Sequence, residues 1–162
     1  MTDRPRAVHV HVHLAMTGTF PLRVADLLFT DDALVVPEYE YLTPLLGIAR
    51  GKASEVGRRA RERYREEGLA GLVDSAERTH EIPYAHVECV RIYDDSGLGR
   101  PKIAVDVPDG PPYAYRIHAP VDVDELSSAL QSLGTRRNFR VETSSALGFR
   151  PTSSLRRFLA DR

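Results

Sequence analysis

The residues with the most evident chemistry lie near the start of the chain. His9, His11 and His13 alternate with Val8, Val10, Val12 and Leu14, a period of two that predicts a strand with one imidazole face and one apolar face. Same-face residues two apart on a strand can reach one metal ion, and imidazole suits zinc, copper or nickel. His9 and His13 are four residues apart, roughly 13 Å along a strand, so all three cannot hold one ion. A site drawn from His9, His11 and His13 would therefore join one His-x-His pair to a ligand from elsewhere: His80, His86, His118 or an acid. The competing reading is a half-buried strand face with no ligand.

Other reactive groups are sparse. Cys89 is the single cysteine, which rules out an intrachain disulfide and fits a reducing compartment. It lies three positions after His86 on an expected strand, so the two point to opposite faces and form no thiolate–imidazole dyad. Gly97-Leu98-Gly99 lies between two expected strands, whereas a dinucleotide-binding turn leads from a strand into a helix. No nucleophile elbow and no His-Glu-x-x-His pair occurs. Asp31-Asp32 and Asp94-Asp95 sit where turns need aspartate. No cofactor is expected.

Charge is nearly balanced, with 22 Lys and Arg against 23 Asp and Glu, which argues against a dedicated nucleic-acid binder. The basic residues cluster in two places. Arg58, Arg59 and Arg63 alternate with Glu55, Glu62, Glu66 and Glu67 in the middle of the chain. Residues 135–162 carry seven arginines against two acids, with Arg136, Arg137, Arg156 and Arg157 among them. These seven named arginines are the candidate interaction residues, for a protein partner or a second copy of the chain. Nucleic acid or anionic lipid is the lesser expectation for the C-terminal segment, which lacks a regular row of aromatic stacking platforms.

Such residues need elements to position them. Phe20 to Phe29 reads as a second strand, Thr30-Asp31-Asp32 as a tight turn, and Ala33 to Val36 as a return strand ended by Pro37. Thr43 and Pro44 offer a helix cap and first turn, and apolar residues then recur at helical spacing as far as Tyr64. Gly68 stops that helix, and a short helical turn follows at Leu69 to Ser75. Glu81 to Tyr93, Lys102 to Val107 and the segment holding Tyr113, Tyr115 and Ile117 read as strands, the last two joined by an Asp109-Gly110 turn. Asp122, three residues before Glu125, caps a one-sided helix with Leu126, Ala129, Leu130 and Leu133, which Gly134 ends. No segment approaches the roughly 18 apolar residues of a bilayer span, so the expected location is cytoplasmic.

Leu28-Phe29-Thr30-Asp31-Asp32-Ala33-Leu34-Val35-Val36 resembles the hairpin of bacterial and archaeal PH-like and GRAM-like domains, and Ile82-Pro83-Tyr84-Ala85-His86-Val87-Glu88-Cys89-Val90 is similar to one of their strands. The resemblance covers roughly residues 8–133. It implies an α+β fold: a strongly bent antiparallel β-barrel closed by the helix at 122–133, with an inserted helical segment at about 43–78. Residues 1–133 would form the domain and 134–162 a basic, partly ordered tail. It implies a noncatalytic binding or assembly module acting through the inserted helix and the tail, and so a protein that is not an enzyme. Phosphoinositide recognition does not carry over, because the Met16-Thr17-Gly18-Thr19-Phe20 loop has only Arg23 nearby. The alternative is a metal-binding protein or metal-dependent enzyme using the His9/His11/His13 face.

Overall fold

The computed structural model describes residues 6–18, 22–42, 48–94 and 99–145. In chain order they form β1 (Val8–Thr17), β2 (Leu22–Thr30), β3 (Ala33–Leu42), α1 (Ile48–Ser75), β4 (Arg78–Pro83), a 3-10 turn (Tyr84–His86), β5 (Cys89–Asp94), β6 (Lys102–Asp106), β7 (Tyr113–Ile117), α2 (Val123–Arg137) and β8 (Arg140–Ser145). The strands make one mixed sheet in the order β4-β3-β2-β1-β7-β6-β5-β8. Neighbours are antiparallel except β5 and β8, which run parallel.

The architecture is α+β, as expected, but the sheet is open: β4 and β8 are its edges, and no closed barrel forms among the described residues. It is strongly bent. Tyr115 on β7 reaches Glu38 on β3, and Tyr113 packs edge-on to His80 of β4 with ring centroids 5.3 Å apart.

Each face carries one helix, and two main cores form beside a small cluster of Tyr93, Ala104 and Ala114. On the concave face Val10, Val12, Leu27, Phe29, Leu34, Ile92, Ile103 and Tyr115 pack with Leu126, Leu130 and Leu133 of α2. On the opposite face Met16, Val24, Leu28, Tyr39 and Leu42 pack with Ala53, Val56, Ala60 and Leu72 of α1. The stripe of small residues on α1 lets the helix lie close to the sheet. At Gly57 an added Cβ would come within 2.9 Å of Leu14 Cδ1 and 3.5 Å of His13 Nε2.

Several boundaries differ from expectation for identifiable reasons. β3 does not end at Pro37. The β3–β4 ladder runs through it, with Pro37 opposite Thr79, so the missing N–H is tolerated inside a strand paired on both sides. The expected strand from Glu81 to Tyr93 is two strands, broken by the 3-10 turn. α1 bends at Gly68, whose φ of 65° suits glycine alone, so the stop and the second helical piece fall where the sequence placed them. The Thr43–Pro44 start lies outside the described residues.

α2 begins as expected, with the Asp122 carboxylate accepting from Glu125 N–H at 2.9 Å. It does not stop at Gly134. It runs to Arg137, and Asn138 in the left-handed region ends it. Gly134 instead makes room for the returning chain, since an added Cβ would lie 2.6 Å from the Phe139 carbonyl oxygen. The segment read as a tail therefore begins as helix and strand. Residues 135–137 complete α2, buried Phe139 stacks on Tyr84, and β8 adds to the sheet beside β5. Two alternating apolar residues, Phe139 and Val141, were too short a pattern to stand out among the arginines.

Candidate metal centre

The histidine face of β1 lies under α1, and its alternation is broken in an informative way. The β1–β2 register shifts between Val8 and Val10 and again between Val12 and Ala15. Only Val10 and Val12 of the expected apolar set face the concave core, while Val8 and Leu14 pack on the α1 side. The second shift is a bulge at Leu14, which has a φ of 52°. A non-glycine residue in this region is strained, and a bulge of this kind re-aims the side chains beside it. Here Leu14 N–H donates to Asp26 Oδ1 at 2.8 Å, and Leu14 O accepts from His118 N–H at 2.8 Å.

Asp26 is the centre of the arrangement. It lies on β2 within the otherwise apolar run Val24 to Phe29, and it is fully buried. His11 Nε2 lies 2.9 Å from Asp26 Oδ2. His13 Nδ1 lies 3.0 Å from Oδ1 and 3.1 Å from Oδ2. Burial alone would push the Asp26 pKa up. The hydrogen bonds and charges of His11 and His13 outweigh burial and bring it from 3.8 down to about 2. Tyr64 of α1 packs edge-on against His11, with centroids 4.7 Å apart.

One ligand atom from each of His11, His13 and Asp26 falls within 4.8 Å of the other two. Tetrahedral bonds of ~2.0–2.2 Å place neighbouring ligand atoms ~3.4 Å apart. The His–Asp separations of 2.9–3.1 Å are hydrogen-bond distances a few tenths of an ångström shorter than that spacing, and an ion would take the place of the bridging protons. The group that meets the His-x-His pair is thus an acid, one of the partners open to it from the sequence, rather than His80, His86 or His118. Its signal in the sequence was a lone charge inside an apolar strand.

The other expected site residues go elsewhere. His9 points to the β2–β3 turn and pairs with Asp31 Oδ1 at 2.7 Å, away from the cluster. His80 lies 3.3 Å from Glu38 Oε1, and His86 is exposed on the 3-10 turn. Glu38 is buried and also pairs with Arg23, which stacks on Tyr41. Burial opposes its charge, but the His80 and Arg23 contacts prevail and hold Glu38 below its ordinary value.

The candidate interaction arginines are spread over the surface. Arg58 pairs with Glu62, Arg59 with Glu40 and Glu55, and Arg63 with Glu67, all exposed pairs on or beside α1. Arg136 is in the last turn of α2, and Arg137 lies 3.8 Å from Asp31. Arg156 and Arg157 lie outside the described residues. Cys89 is buried, and burial pushes its thiol pKa up, so it is not poised as a thiolate.

No family model matches the chain, and no curated protein matches it. Among solved structures it is similar to the hSac2 domain from human phosphoinositide phosphatase Sac2, with a TM-score of 0.53 and 10% identity over 93% of this chain and 84% of that one. This overturns the PH-like and GRAM-like resemblance. The fold neighbour is a phosphatase's hSac2 domain, and the short motifs at residues 28–36 and 82–90 match no family model. The noncatalytic PH-like module inferred from that resemblance falls with it. At 10% identity the likeness is one of fold.

Proposed function

We propose that this protein binds a divalent metal ion of the zinc class through His11, His13 and Asp26, with His9 outside the site. The observation that carries the reading is the convergence of two imidazoles on one buried carboxylate. Nitrogen and carboxylate donors at these separations suit zinc, and three protein ligands leave a fourth position for water or an exchangeable ligand. The Leu14 bulge supports the reading, because backbone strain concentrates where side chains must be held in a set geometry. What the hSac2 domain's parent protein acts on is not transferred, since a shared fold does not transfer a site.

The test is metal content and zinc affinity of protein purified without a tag. One ion per chain is expected. His11→Ala, His13→Ala and Asp26→Asn should each weaken zinc binding by more than about 100-fold, beyond the usual loss from removing a supporting partner, while His9→Ala should leave it unchanged. Absence of metal, with no thermal shift on adding zinc, would overturn the reading.

A further inference from the structure

The two imidazoles of the cluster are held from α1 as well as from Asp26. Gly57 and Tyr64 are seven residues apart, two helical turns, and so share one face of α1. That face meets β1. A Cβ at Gly57 would come within 3.5 Å of His13 Nε2, and the Tyr64 ring lies edge-on to His11, with 60° between the planes. His13 makes the second edge contact on His11, at 5.8 Å and 81°. A metal-bound imidazole ordinarily donates its second N–H to a carboxylate, a carbonyl or water, which fixes the orientation of the ring. The side-chain hydrogen bonding of His11 is through Nε2, on Asp26, and among the described residues Nδ1 has no such anchor. Ring contacts therefore limit how far His11 can turn about its Cβ–Cγ bond.

Resting on the metal reading above, we infer that Tyr64 is a positioning residue for the ion: its ring edge fixes the plane of His11 and so the direction in which Nε2 presents its lone pair. The bond from an imidazole to a metal lies in the ring plane, and a turn of the ring swings the lone pair off the ion. Tyr64 precedes the bend at Gly68 and packs with the core that holds α1 on Met16, Leu28 and Leu42. It thus reaches His11 from a helix that is itself anchored on β1, β2 and β3. The shape of the ring does this work, and the hydroxyl has no part in it.

Tyr64→Phe keeps the ring edge, whereas Tyr64→Leu keeps only an apolar side chain at this half-buried position. In the cobalt-loaded protein, Tyr64→Phe should match wild type in cobalt affinity and in visible absorption, which reports the geometry of the ligands. Tyr64→Leu should still take up one cobalt per chain, but roughly three- to tenfold more weakly, the worth of one aromatic edge contact, and with a shifted visible band. Leu72→Val, a core change beyond the Gly68 bend, should lower the urea midpoint of the metal-free protein and leave the visible band in place. A wild-type band and affinity in Tyr64→Leu would overturn the inference and leave the metal site standing. An equal shift in Leu72→Val would also overturn it, by assigning the effect to α1 packing in general. So would a shift in Tyr64→Phe, by assigning it to the hydroxyl. A wild type that takes up no cobalt would fail earlier, at the metal reading itself, and take the inference with it.

Discussion

Replacing Asp26 by alanine should destabilise the metal-free protein by ~3–5 kcal/mol, the range for breaking a buried charged contact. Two routes lead to that figure. A carboxyl held at about 2 rather than 3.8 stabilises the folded state by roughly 2–3 kcal/mol at neutral pH. The sign follows from the lowered pKa: this stability is present above the ordinary value and is lost as pH falls through the folded one. Alanine also strips the acceptor from Leu14 N–H, and a buried unpaired donor costs ~1–3 kcal/mol. The two sums overlap, because the same hydrogen bonds lower the pKa, so they are not simply added. Asp26→Asn keeps an oxygen for Leu14 N–H and should cost about half as much. Urea unfolding followed by circular dichroism in the presence of chelator measures both, and the order should be wild type, then Asn, then Ala. His9→Ala, which removes only an exposed partner of Asp31, should leave the midpoint in place. An Asp26→Ala protein within ~1 kcal/mol of wild type would refute the claim that this carboxylate organises β1 and β2.

Three further outcomes follow from the packing. Gly134→Ala should destabilise by ~1–3 kcal/mol, because the new Cβ would meet the Phe139 carbonyl at 2.6 Å; helix propensity alone predicts a gain of about 1 kcal/mol, so the sign of the change in thermal midpoint decides. Phe139→Ala should cost ~3–4 kcal/mol in chemical unfolding, since Phe139 is buried against Tyr84; a dispensable tail would show almost no change. Glu38 titrates below its ordinary value of 4.5, so its contribution is complete above that pH and is lost as pH falls through the lowered value. Glu38→Gln should therefore flatten the acid limb of a stability–pH profile.

The elements legible in the sequence are those whose signals are local. The Asp122 cap sits three residues from its target amide, and Gly68 needs only its own φ, so both the start of α2 and the bend in α1 could be read directly. The misread elements depend on contacts distant in the chain. Gly134 looks like a helix stop until the Phe139 carbonyl is seen against it. Pro37 looks like a strand end until β4 is seen pairing through it. β8 has few apolar residues because it is an edge strand with only β5 as its neighbour, and a half-exposed strand needs no long alternation.

The candidate site divides along the same line. The His-x-His geometry follows from strand period alone, and it limited the imidazoles to two of the three. Which two depended on the bulge at Leu14, and no residue type announces a bulge when the left-handed position is leucine rather than glycine. Asp26 did carry a signal. A carboxylate in the middle of Val24-Ala25-Asp26-Leu27-Leu28-Phe29 must be either exposed at a bend or paired inside, because an unpaired buried charge is too costly to keep. On the face of β2 that α1 covers it cannot be exposed, so it must find donors within that core. The adjacent strand with two imidazoles on one face is β1. The isolated charge and the histidine row are thus two halves of one requirement, each unexplained until the antiparallel β1–β2 pairing puts them opposite one another.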